Sequence, residues 1–138
     1  MPSEISAETI RTVRRSYGRC LIHEAFLKDF YETFFKSSPK IPPMFAHTDM
    51  EKQKRLLADG LNFLLMFAAG NPLANAKMEQ LAELHSSRGN QVNPGLYPYW
   101  VDSLMRAARQ YDPEWTLEIE KDWRRVLKKG IDFMTERF

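Results

Sequence analysis

The sequence predicts an all-α fold, and three observations support that prediction. Apolar residues recur three and four positions apart over most of the chain, the spacing of one helix face. No segment alternates apolar and polar residues over six positions, as a half-buried strand would. The prolines fall in a few short connections, so the breaks are few and the stretches between them long. The 138 residues, 43% hydrophobic and 28% charged, suit one ordinary globular domain. A chain of this length can bury about 70% of its unfolded surface.

Ser6, followed by Glu8 and Thr9, suits the start of a first helix, whose apolar face is Ile10, Val13, Tyr17 and Leu21. Arg11, Arg14, Arg15 and Arg19 lie opposite and read as a solvated stripe, with docking of an anionic partner as the alternative. A second helix is expected from His23 to Lys36, with Phe26, Leu27, Phe30, Tyr31 and Phe34 on a wide apolar face. Ser37-Ser38-Pro39 ends it, and Pro39, Pro42 and Pro43 leave room only for a short helical turn before Met44 and Phe45.

A long helix is expected from Asp49 to Gly70, with Thr48 or Asp49 as its N-cap. Gln53, Leu57, Gly60, Leu61, Leu64 and Leu65 share one side of it. Gly60 costs about 1 kcal/mol relative to alanine inside a helix, and is read as a point where another helix approaches closely. Asn71-Pro72 breaks the chain again. Leu73 to Ser87 reads as a medium helix with Met78, Leu81, Leu84 and His85 on one face, closed by Arg88-Gly89-Asn90 in the manner of a glycine-terminated helix. Asn93-Pro94 opens the next helix, which runs to about Tyr111 through Tyr97, Trp100, Val101, Leu104, Met105 and Ala108. Asp112-Pro113 is expected to cap the last helix, from about Pro113 to Glu136, with Trp123, Val126, Leu127, Ile131 and Met134 inward. With no internal repeat and no linker, residues 1–138 are expected to form a single domain.

A net charge of +2, with no basic run interleaved with aromatics, argues against nucleic acid as a partner. Cys20 is the one cysteine, so the chain makes no intramolecular disulfide and no cysteine metal site. The opening MPSEISAETI lacks the charged and apolar parts of a secretory signal. The longest apolar run, Phe63 to Ala69, is far shorter than the roughly 20 residues of a membrane span. These features together predict a soluble protein of the reducing cytoplasm.

The histidines are His23, His47 and His85. His85 lies on the apolar side of its predicted helix, four positions after Leu81, and can be either a satisfied core residue or a metal ligand. A metal-bound imidazole needs an acceptor for its second nitrogen, and the Leu81 carbonyl is one turn back. Tyr31, set among Leu27, Phe30 and Phe34, needs a polar partner if buried, and Gln53 is the residue best placed to meet it. A backbone partner for Tyr31, with Gln53 merely exposed, is the alternative. Ser86 and Ser87 lack a paired acid, His23-Glu24 lacks a second histidine at zinc-site spacing, and the six glycines never form a phosphate loop. His47 and the basic group Arg124, Arg125, Lys128 and Lys129 read as surface.

The ordered set FYETFFKSSPKIPPMF, Gln53 with Leu57, LAELH and VNPGLYPYW resembles the heme domain of bacterial hemoglobins and flavohemoglobins, from about Ile10 to Met134. The resemblance implies a globin fold, a helical sandwich around a heme pocket. It makes His85 the iron ligand, Tyr31 and Gln53 the pair that stabilises a bound gas, and Phe45, Leu57, Leu84, Val92 and Tyr97 the heme contacts. Heme b is the implied cofactor, since no CxxCH offers covalent attachment. O2, NO and CO are the implied ligands, for binding, storage or sensing, by a monomer or homodimer. The alternative is an NO dioxygenase. The reductase domains of flavohemoglobins do not follow Phe138, so that activity implies a separate reductase. In flavohemoglobins the tyrosine at the place of Tyr97 links to a glutamate of the last helix. Here Asp132 or Glu136 stands nearest that role. The stretch between Phe45 and Gln53 is shorter than in the family, which would let Gln53 shift by one position and bring Lys52 or Lys54 to the rim.

Overall fold

The computed structural model describes residues 5–138. Residues 1–4, part of the stretch read as free of a secretory signal and of the expected domain, lie outside the described residues. The described chain is all-helical, with helices α1 (Ala7–Leu21), α2 (Ala25–Ser37), α3 (Met50–Ala68), α4 (Asn75–His85), α5 (Tyr97–Tyr111) and α6 (Leu117–Glu136). Short 3-10 turns at Pro42–Phe45, Pro72–Ala74 and Pro94–Leu96 each begin on proline, whose fixed φ suits a first helical position. None of the described helices is long and apolar enough to cross a membrane.

The helix starts follow local hydrogen bonding. Ser6 Oγ accepts from the Thr9 amide at 3.1 Å, and Asp49, rather than Thr48, accepts from the amides of Glu51 and Lys52. At the end of α3 the Gly70 amide donates to Phe67 and the Asn71 amide to Met66, the paired bonds of a Schellman cap. Gly70 takes the positive φ, 81°, that such a cap needs.

Helix α2 packs along α5 and α1 along α6, while α3 and α4 each pack on α6. The main core joins Val13, Phe26, Phe30, Leu65, Leu104, Trp123 and Leu127 across five helices. A smaller cluster of Ala82, Tyr97 and Met134, with Leu81, Val92, Ile131 and Phe133 packed on it, anchors α4. Tyr17 Oη donates to the Ala58 carbonyl at 2.9 Å and so fixes α3 against α1.

Several expected details are corrected. Helix α6 begins at Leu117, capped by Thr116, and not at Pro113. Asp112 turns inward instead: its carboxylate accepts from Ser16 Oγ at 2.6 Å, from Arg19 Nε at 2.5 Å and from the Glu114 amide at 2.9 Å. Trp123 Nε1 donates to Ser16 Oγ at 2.9 Å and extends this network. Arg19 therefore leaves the solvated stripe, of which Arg11, Arg14 and Arg15 remain exposed. Helix α4 ends at His85, and Gly89 has no positive φ. A side chain at Gly89 would meet the Glu83 and Leu84 carbonyls at 2.6 Å, so this glycine lets the turn fold beneath the last carbonyls of α4.

The close helix approach lies at Gly130 and not at Gly60. A Cβ on Gly60 would stand 4.0 Å from Leu81 Cδ1, an ordinary contact, whereas one on Gly130 would reach 2.8 Å from Leu64 Cγ. Leu64 is 6% exposed and has little room to move. Gly130→Ala is accordingly expected to cost about 1–3 kcal/mol by overpacking the α3–α6 contact, and Gly60→Ala to be neutral or stabilising. Urea unfolding of both variants checks the pair.

Candidate functional site

The residues singled out from the sequence fall into two groups, one on α2 and α3 and one on and after α4. In the first, Gln53 Nε2 donates to Tyr31 Oη at 3.2 Å. Tyr31 is 5% exposed and its ring lies 6.0 Å from that of Phe45, which the proline-led turn brings back against Phe34 and Phe35. Leu57, one turn beyond Gln53, is half-buried on the edge of the same core. The shorter stretch before α3 has not displaced Gln53. Lys54 pairs with Glu51 at 2.8 Å and Lys52 is exposed.

Burial pushes the Tyr31 phenol up to about 12, against a smaller lowering by the Gln53 hydrogen bond. It is therefore a neutral phenol across any ordinary pH. Because its oxygen accepts from Gln53, its own proton is left to donate elsewhere, and no acceptor for it occurs among the described residues.

In the second group, His85 closes α4 with its Nδ1 2.8 Å from the Leu81 carbonyl. A carbonyl only accepts, so Nδ1 carries the proton and Nε2 presents its lone pair. The Val92 amide donates to the His85 carbonyl at 3.0 Å, which ties the following segment under the helix end. Val92 packs with Leu81 on the cluster that holds Tyr97. Leu84 is 58% exposed despite its apolar side chain.

The two groups are joined where Gly60 of α3 meets Leu81 of α4. From that contact Gln53 lies about 10 Å back along α3, and His85 about 6 Å forward along α4. Beyond Gly60, Leu61, Leu64 and Leu65 are buried. Before it Leu57 is half-buried and Leu56 is 53% exposed. Apolar side chains thus stay accessible on α3 at Leu56 and on α4 at Leu84.

Among the described residues no three His, Cys, Asp or Glu side chains come together as metal ligands. A metal held at His85 would need its other donors from elsewhere. Heme brings four of its iron's donors with it and asks the protein for a histidine, so a lone His85 with accessible apolar side chains nearby fits that group. Neither Asp132 nor Glu136, the two acids left open as partners of Tyr97, pairs with it. Asp132 pairs with Lys128 at 2.6 Å, and Glu136 is exposed beside Arg137. Tyr97 is held neutral by burial, which raises its pKa. His23 and His47 are exposed, and Ser86 Oγ donates to the Glu83 carbonyl, so none of them enters the site.

An all-helical chain of six helices, with Tyr31 held by Gln53 on α2 and α3 and His85 at the end of α4, has the build of a hemoglobin-type protein. It is similar to a solved Pseudomonas aeruginosa PAO1 protein described as structurally highly homologous to a human hemoglobin. The identity is 36% and the TM-score 0.91, over 94% of this chain and 98% of that one. No protein-family model and no curated protein sequence matches the chain. The chain belongs to the hemoglobin-like globin family.

Proposed function

We propose that this globin binds heme b through His85 and reversibly holds a diatomic gas (O2, NO or CO) beside Tyr31 in the cytoplasm, as a monomer or homodimer. The observation that carries the reading is the donor arrangement: Gln53 gives its hydrogen to Tyr31, and Tyr31 keeps its own for a ligand. Heme, when bound, would supply the iron that takes up the gas.

His85 would hold the iron through Nε2, oriented by the Nδ1 bond to Leu81. Phe45, Leu57, Leu84 and Val92 would cover the apolar porphyrin faces and keep water out, and Tyr97 would stand behind the ligand histidine. Tyr31 would donate to the negative charge that bound O2 carries, with Gln53 fixing the phenol's direction. Such a bond contributes about 1–3 kcal/mol in a dry site. CO gains less because it carries little charge. Tyr31→Phe is expected to speed O2 release about 10-fold to 100-fold and to change CO release far less. Stopped-flow dissociation of both ligands checks this. Equal effects on the two gases would remove Tyr31 from the role.

The second reading is NO dioxygenation to nitrate, which needs an electron from a separate reductase in each cycle. The same Tyr31–Gln53 pair serves that chemistry. The missing Tyr97–carboxylate link favours binding over turnover, because that link is what strengthens electron donation by the histidine in the enzymes. Sustained NO consumption with a supplied reductase, against a single turnover without it, separates the two.

A further inference from the structure

A recess of about 410 Å³ opens between α2 and α5, lined by Thr33, Lys36, Ser37, Tyr99, Asp102, Ser103 and Arg106. It lies within the 300–1,000 Å³ range of small-molecule sites. None of these residues belongs to the Tyr31 or His85 group. Its charge is uneven: Asp102 is already paired with Arg124 at 3.0 Å, whereas Lys36 and Arg106 have no carboxylate partner among the described residues. Two cations are therefore left facing one recess.

Ser103 supplies a second, independent observation. It is 2% exposed, lies within α5, and still lines the recess. A buried helical serine ordinarily bonds back to the carbonyl one turn earlier. No fully buried side-chain oxygen among the described residues goes without a partner, and Ser103 Oγ enters none of the side-chain bonds described, so this hydroxyl opens on the recess that Ser103 lines. Thr33, half-buried, adds another hydroxyl to the lining, while Ser37 is engaged with the Phe34 carbonyl. Unpaired cations with inward hydroxyl donors are the recognition set for a tetrahedral oxyanion.

We propose that the α2–α5 recess is a binding site for a small phosphate-class anion, held by Lys36 and Arg106 and bonded by the hydroxyls of Ser103 and Thr33. The volume admits either inorganic phosphate or a small phosphomonoester. The proposal stands whether or not heme is bound.

Calorimetric titration of the full-length protein, as purified, at constant ionic strength tests it. The probes are inorganic phosphate, glycerol 3-phosphate and chloride. Wild type is compared with Lys36→Gln/Arg106→Gln, with Ser103→Ala, and with Arg14→Gln/Arg15→Gln as a control on the exposed stripe. Saturable binding of either phosphate, none of chloride, at least a tenfold loss in the Lys36/Arg106 double variant and an unchanged control are the expected results. Tighter binding of glycerol 3-phosphate would mark an organic phosphate, and equal binding the inorganic ion. Ser103→Ala keeps the charges and the fold and is expected to weaken binding several-fold. No saturable binding, or equal loss in the control pair, would overturn the proposal.

Discussion

His85→Gly is expected to strip the protein of stable heme binding while leaving its helices in place, and added free imidazole to restore the absorbance. The fold survives because His85 is the last residue of α4 and only half-buried, so its side chain holds up no core layer. On the proposed assignment heme retention fails because His85 would be the iron's ligand, its second nitrogen already oriented by the Leu81 carbonyl. Losing an outer partner of a metal site alone costs about 10–100-fold in affinity. Losing the ligand itself is expected to exceed that. Hemin transfer to an excess scavenger protein, followed by absorbance, measures it. A variant that keeps heme as wild type does would assign the ligand elsewhere.

Asp112→Asn will lower stability by about 3 kcal/mol. The Asp112 side chain is fully buried and binds Ser16, Arg19 and the Glu114 amide at once. An amide in its place keeps the shape but removes the charge that offsets Arg19, and it leaves one donor site facing donors. For a chain of this size the loss shifts the melting temperature by about 10 °C. Burial works to raise the Asp112 carboxyl, but the Arg19 guanidinium, the Ser16 hydroxyl and the Glu114 amide outweigh it and hold the group below its ordinary 3.8. A carboxyl depressed in the folded state contributes fully above its unfolded value and loses that contribution as pH falls through the folded one. Wild type should therefore lose stability below about pH 4 more steeply than Asp112→Asn. Urea unfolding of both proteins at neutral and acid pH checks the magnitude and the sign together.

The helical class and most helix positions were legible because they depend on local signals. Periodic apolar residues and proline-marked breaks need no knowledge of what packs where. The same is true of Asp49 as a cap and of the His85–Leu81 bond, which lie within one turn. The pairing of Gln53 with Tyr31 joins residues 22 apart in sequence, and it was reached only as one of two alternatives. What was missed was decided by tertiary contact. Asp112 before a proline reads as a helix cap, and nothing local announces that Ser16 and Arg19 will claim its carboxylate. Gly60 and Gly130 look alike in the sequence, and only the approach of Leu64 distinguishes them. Which acid, if either, would meet Tyr97 stayed open in the sequence, because it turns on tertiary pairing: Lys128 has taken Asp132.

The most direct test of the central claim is the visible spectrum of the purified chain titrated with hemin, then reduced and exposed to CO. The account predicts saturation at one heme per chain and a sharp Soret band that shifts on CO binding. A spectrum no different from hemin free in buffer, with the helices intact by circular dichroism, would contradict it and leave a globin fold without a heme.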